Sequence, residues 1–81
     1  MIAGYIRPSI LWHLLSTNGA SVDTLVRLIG RPAGYIHRVV RIMLVTGQVV
    51  RSTRYPGILE LTVKGLDAAR AVDINQVEVS P

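Results

Sequence analysis

Glycine and proline cut this chain into short pieces, and the positions of the cuts limit what it can fold into. Asn18-Gly19 ends a first helical pattern, and Gly30 ends a second. Arg31-Pro32 opens a third, which Gly47 stops, and Tyr55-Pro56-Gly57 has the residues of a tight turn between two strands. Each piece then shows its own periodicity. Pro8 marks the start of the first helix, where its fixed φ suits an opening turn. Ile10, Leu11, Leu14 and Leu15 follow on one face. Ser21 is the expected N-cap of the second helix, with Asp23 in its first turn and Val22, Leu25, Val26 and Ile29 as its apolar stripe. In the third, Ile36, Val40 and Met43 fall in a narrow arc, while Gly34, Arg38 and Arg41 lie opposite, flanked by Tyr35 and His37.

Gln48 to Arg54 is rich in β-branched residues and reads as a strand, with Ile58 to Leu61 returning beside it. Thr62 is placed to cap a last helix running through Leu66, Ala68, Ala69 and Val72. The expected fold is therefore a small α+β domain over residues 1–72: three helices, a two-stranded hairpin and a closing helix. The tail, residues 73–81, alternates weakly through Ile74, Val77 and Val79 and either adds a strand or stays mobile.

With 81 residues the chain has room for one small domain, and a hydrophobic fraction of 49% argues against disorder. So much apolar surface on so small a body favours self-association. There is no cysteine, which excludes disulfides and thiolate metal sites. No apolar run approaches the ~20 residues of a membrane span. No secretory signal pattern opens the chain, and the expected compartment is the cytoplasm. The two histidines, His13 and His37, have no metal-ligand spacing around them. Neither a nucleophile elbow or triad pattern nor a glycine-rich phosphate loop is present. The expectation is a protein that is not an enzyme and uses no cofactor or metal.

Charge is concentrated. From Thr24 to Leu59 there is no acidic residue, yet this stretch holds Arg27, Arg31, Arg38, Arg41, Arg51 and Arg54, six of the nine basic residues. The whole chain carries a net +4. The basic zone coincides with the third helix and the hairpin, a footprint suited to a phosphate backbone.

Two motifs at matching separation carry a family likeness. "GRPAGYIHRVVRIMLVTGQVVR", Gly30 to Arg51, resembles the recognition helix and first wing strand of MarR/PadR-like regulators. "LELTVKGLDAAR", Leu59 to Arg70, is similar to the same family's wing-to-helix segment. The resemblance implies a winged helix-turn-helix and a sequence-specific regulator of transcription that binds double-stranded DNA as a homodimer and acts by occupying a promoter, as a repressor or by recruiting polymerase. It places the third helix in the major groove and the wing on the backbone or neighbouring minor groove.

The candidate DNA-binding residues are Ser21, Arg31, Pro32, Gly34, Tyr35, His37, Arg38, Arg41, Arg51, Thr53 and Arg54. Each has a plainer reading. Arg38 and Arg41 also suit a solvated polar face, and Tyr35 and His37 suit half-buried amphipathic positions. Gly34 fits close approach to DNA or loose packing near a helix start. Arg51 and Arg54 also suit charged edge strands that resist aggregation, and Ser21 is a helix cap by default. Tyr5, Trp12, Ile74 and Val77 are the candidate dimer contacts, with Trp12 alternatively covered by the terminal segments. A second function class stands beside the first. Val39, Ile42, Leu44 and Val45 make the third helix unusually aliphatic, as a protein–protein interaction module that docks a partner would need. RNA or single-strand binding is a third, with one Trp and three Tyr available for stacking.

Overall fold

The computed structural model describes residues 2–80, with side chains for residues 5–80. Met1 and Pro81, the ends of the expected domain and tail, lie outside the described residues. Four helices and a three-stranded antiparallel sheet form an α+β fold. The order is α1 (Ile2–Thr17), β1 (Ala20–Ser21), α2 (Val22–Ile29), α3 (Ala33–Val45), β2 (Val49–Arg51), β3 (Ile58–Leu61) and α4 (Val63–Arg70), followed by a 3-10 turn at Ile74–Gln76.

α1 is the hub and packs against α2, α3, α4 and β3. Its Ile6, Ile10 and Leu14 meet Leu25 of α2, Ile36 and Met43 of α3 and Leu59 of β3 in the buried core. Each such side chain contributes roughly 1.5–3 kcal/mol when fully buried. The expected faces of α2 and α3 are present: Leu25 and Ile29 are buried, as are Ile36, Val40 and Met43. Leu15, expected on the packed face of α1, is exposed, and Ile6 and His13 are buried there in addition.

Several sequence expectations need correction. Pro8 lies inside α1 rather than at its start. Its fixed φ near −65° is helical, but inside the helix the ring removes one hydrogen bond and crowds the carbonyl one turn earlier. The hairpin is not alone: β1 pairs with β3, Ala20 opposite Leu59 and Ser21 opposite Ile58, giving strand order β1-β3-β2. Gly19 permits this approach, since a Cβ there would stand 3.2 Å from both Ile58 Cγ2 and the Leu59 carbonyl oxygen. The first hairpin strand is also shorter than Gln48 to Arg54. Gln48 N–H closes the end of α3 on the Met43 carbonyl at 2.9 Å, and beyond Arg51 the Ser52 hydroxyl accepts from Arg54 and Tyr55 N–H at 3.1 and 3.0 Å. Thr53 and Arg54 therefore lie in the turn.

Val72 is beyond the end of α4, which Ala71 caps. Among the described residues the tail forms no strand. After the 3-10 turn it lies across the helices, with Glu78 N–H donating to Ser9 Oγ at 2.8 Å and Ser80 N–H to the Leu28 carbonyl at 2.7 Å. None of the described helices is long and apolar enough to cross a membrane.

Candidate nucleic-acid interface

Three pieces of chain converge on one side of the molecule. The first is the start of α2. Ser21 is its N-cap, in extended backbone, and its hydroxyl accepts from Thr24 N–H at 3.1 Å while donating to Thr24 Oγ1 at 3.0 Å. That hydroxyl is occupied by capping. The second is α3. Gly30 closes α2 with its N–H on the Val26 carbonyl at 2.9 Å, and the chain passes through Arg31 to Pro32, the N-cap of α3. With Ile36, Val40 and Met43 turned into the core, helical geometry leaves Gly34, Tyr35, His37, Arg38 and Arg41 exposed. The third is the β2–β3 hairpin, whose Arg51, Thr53, Arg54 and Tyr55 are exposed.

These pieces meet around a shallow depression. Its lining is Val22 from α2, His37, Val40, Arg41 and Leu44 from α3, and Arg51 from β2. Two arginines that are ten positions apart in sequence thus edge the same hollow, with an imidazole beside them. Among the described residues, Arg38, Arg41, Arg51 and Arg54 have no carboxylate partner; the one ion pair joins Arg31 to Glu78. An exposed guanidinium without an internal partner keeps its forked donors for an external oxygen anion. Gly34 belongs to the same face, and a Cβ there would meet nothing within 4 Å. Packing within the chain gives no reason for a glycine at that position.

Arg31 differs from the other candidates. Its Nε lies 3.0 Å from each carboxylate oxygen of Glu78, and its Nη2 completes the contact. The hydrogen bonds to Glu78, helped by the attraction of the carboxylate, hold the Arg31 guanidinium above its ordinary pKa. The acid-free zone of the sequence is therefore not acid-free in space. No spacing rule announces this pairing, because Glu78 reaches Arg31 across 47 positions. The same holds for Ser9 and His13, buried on α1 and bonded to the backbone of Glu78. Beyond the sequence-based set, Tyr55 at the hairpin turn is also exposed.

The candidate dimer residues lie on α1 and at the 3-10 turn of the tail. Tyr5 and Ile74 are exposed, and Trp12 and Val77 are half-buried. The Trp12 ring stands edge-on to His13, with centroids 5.1 Å apart at 85°. α1 and the 3-10 turn are in contact, so the four residues belong to adjoining elements. Among the described residues, no three His, Asp or Glu side chains come together as a metal would require.

No family model matches this chain, and neither a curated protein nor a solved structure is significantly similar to it.

Proposed function

We propose that the chain is a winged helix-turn-helix regulator, MarR/PadR-like, that binds double-stranded DNA as a homodimer. In this reading α3 enters the major groove through the face carrying Gly34, Tyr35, His37, Arg38 and Arg41. Arg51, Thr53 and Arg54 of the hairpin grip the backbone or the adjoining minor groove. It acts by occupancy of its site, with no catalytic step. One observation carries the proposal: four exposed arginines from two elements, none with a carboxylate partner among the described residues, two of them lining one hollow. The experiment is a gel shift on mixed-sequence duplex DNA at low and moderate salt. Binding that weakens steeply with salt supports the reading, because each neutralised phosphate releases counterions. Absence of binding at low salt removes it.

A second reading has its own observation. Ile42 is 50% and Val45 83% exposed on the later half of α3, more apolar surface than a groove-reading helix needs. A protein-docking module would use it. The two readings divide α3 between them if residues up to Arg41 meet DNA and the later aliphatics meet protein.

A further inference from the structure

The tail is fastened in two separable ways. Its backbone is held by α1 and α2: Glu78 N–H donates to Ser9 Oγ at 2.8 Å, the Glu78 carbonyl accepts from His13 Nε2 at 3.0 Å, and Ser80 N–H donates to the Leu28 carbonyl at 2.7 Å. Ser9 and His13 are 0% and 4% exposed, so these bonds satisfy interior polar groups. The Glu78 side chain does something else. It reaches Arg31 and pairs with the guanidinium through both carboxylate oxygens. Any residue but proline at position 78 has the N–H and carbonyl that hold Ser9 and His13. The carboxylate is not needed for attachment.

Arg31 stands just before Pro32, the N-cap of α3, and is close enough to Tyr35 for the two to interact electrostatically. A guanidinium grips a carboxylate and a phosphate with the same fork. The pair is part-exposed, at 34% and 23%, and an ion pair of that kind is weak enough to exchange partners.

We infer that Glu78 is a built-in competitor for a backbone phosphate. Its carboxylate occupies the anion position at Arg31 in the free protein. A phosphate of duplex DNA displaces it on binding, while the tail stays anchored through its backbone. This rests on the duplex-DNA reading above and adds a control to it: the protein holds one of its own DNA contacts in check, which lowers affinity and blunts salt dependence.

The test compares full-length wild type with Glu78→Ala, Arg31→Ala, the double variant and Asp67→Ala. Asp67 is an exposed acid on α4 and controls for the simple loss of a negative charge. On mixed-sequence duplex DNA, Glu78→Ala is expected to bind about two- to fivefold tighter than wild type. Its plot of log affinity against log salt should be steeper than that of the wild type, because rising salt weakens the Arg31–Glu78 pair that opposes wild-type binding. The gain should exceed that of Asp67→Ala and vanish when Arg31 is also Ala. A gain equal to the Asp67 control, or one that survives without Arg31, overturns the inference while leaving DNA binding intact. A second readout separates the two claims. The Arg31 Nε–H resonance should move on titration with inorganic phosphate at lower concentration in Glu78→Ala than in wild type. If duplex DNA is not bound but this difference appears, the DNA reading fails and the anion exchange stands for another phosphate ligand. If the resonance ignores phosphate in Glu78→Ala, the exchange itself is wrong.

Discussion

Gly65 is the glycine with the least room for a side chain. A Cβ at this position would stand 1.8 Å from the Gln48 carbonyl oxygen and 2.8 Å from its carbon. Both are backbone atoms and cannot rotate aside. The neighbouring residues show what this closeness serves. Thr62 caps α4 by accepting from Gly65 N–H at 3.1 Å, and its hydroxyl donates to the Gly47 carbonyl. Lys64 Nζ donates to the Thr46 carbonyl at 2.8 Å. Thr62, Lys64 and Gly65 therefore stitch α4 to the end of α3 and the start of β2. Gly65→Ala must push these apart, and its cost is expected at or above the top of the ~1–3 kcal/mol usual for overpacking. A thermal melt should fall by more than about 10 °C; an unchanged melt means α4 does not pack so closely. Gly34 is the opposite case. With open space around it, Gly34→Ala should raise stability by up to about 1 kcal/mol through helix propensity. If the α3 backbone approaches DNA there, the same change should weaken duplex binding. A variant that gains stability and binds DNA unchanged assigns the glycine no role in recognition. Arg38→Ala and Arg41→Ala should each cost on the order of 1–3 kcal/mol of DNA affinity and relax sequence preference, whereas Arg54→Ala should weaken all sequences alike. Titrations against a panel of duplexes distinguish these outcomes.

At the scale of elements, the legible parts were those encoded within one turn or one period. The buried arc of α3, the caps at Ser21 and Thr62 and the turn at Pro56-Gly57 all depend on neighbours a few positions away, and the structure contains them. β1 was not legible, because two residues are too few to show alternation and its partner β3 lies far along the chain. The full length of α1 was hidden by Pro8, whose start-of-helix preference is a local rule that packing overrides. The seat of the tail was not legible for a similar reason. Its order comes from Ser9, His13, Leu28 and Arg31, none of them near it in sequence. The basic side of α3 and the hairpin was visible as an acid-free run, yet the loss of Arg31 to Glu78 was not. The seating of the tail is open to measurement by amide hydrogen exchange. Glu78 and Ser80, whose N–H groups are bonded to Ser9 Oγ and the Leu28 carbonyl, should exchange more slowly than Val79. Ser9→Ala should speed exchange at Glu78. Uniformly fast exchange across all three would mean that the tail does not rest on the helices in solution.

At the scale of the whole molecule, charge and assembly make a joint prediction. A single small domain presents few contacts to a duplex, and two copies related by a two-fold axis double them. The proposed pairing surface is formed by Tyr5 and Trp12 of α1 with Ile74 and Val77 beside them. Paired there, two copies of α3 should address successive major grooves about 34 Å apart on one face of DNA. Each chain offers Arg38, Arg41, Arg51 and Arg54 without a carboxylate partner among the described residues. A dimer using all of them on phosphates would give a log–log salt slope of about −7, and one chain acting alone about −4. Arginines that reach bases instead of phosphates make both slopes shallower, but the ratio between dimer and monomer remains near two. Light scattering at micromolar concentration should therefore report twice the chain mass for the wild type. Trp12→Glu places a charge in the proposed contact while Trp12, half-buried on the rim of α1, is not a core residue. That variant should keep its circular dichroism spectrum, fall to one chain mass, and show about half the wild-type salt slope. A wild type that is monomeric both free and on DNA, with the slope of a single chain, excludes pairing at this surface. A Trp12→Glu protein that remains dimeric with an undiminished slope moves the interface elsewhere, and the exposed Ile42 and Val45 at the far end of α3 are then the surface to substitute next.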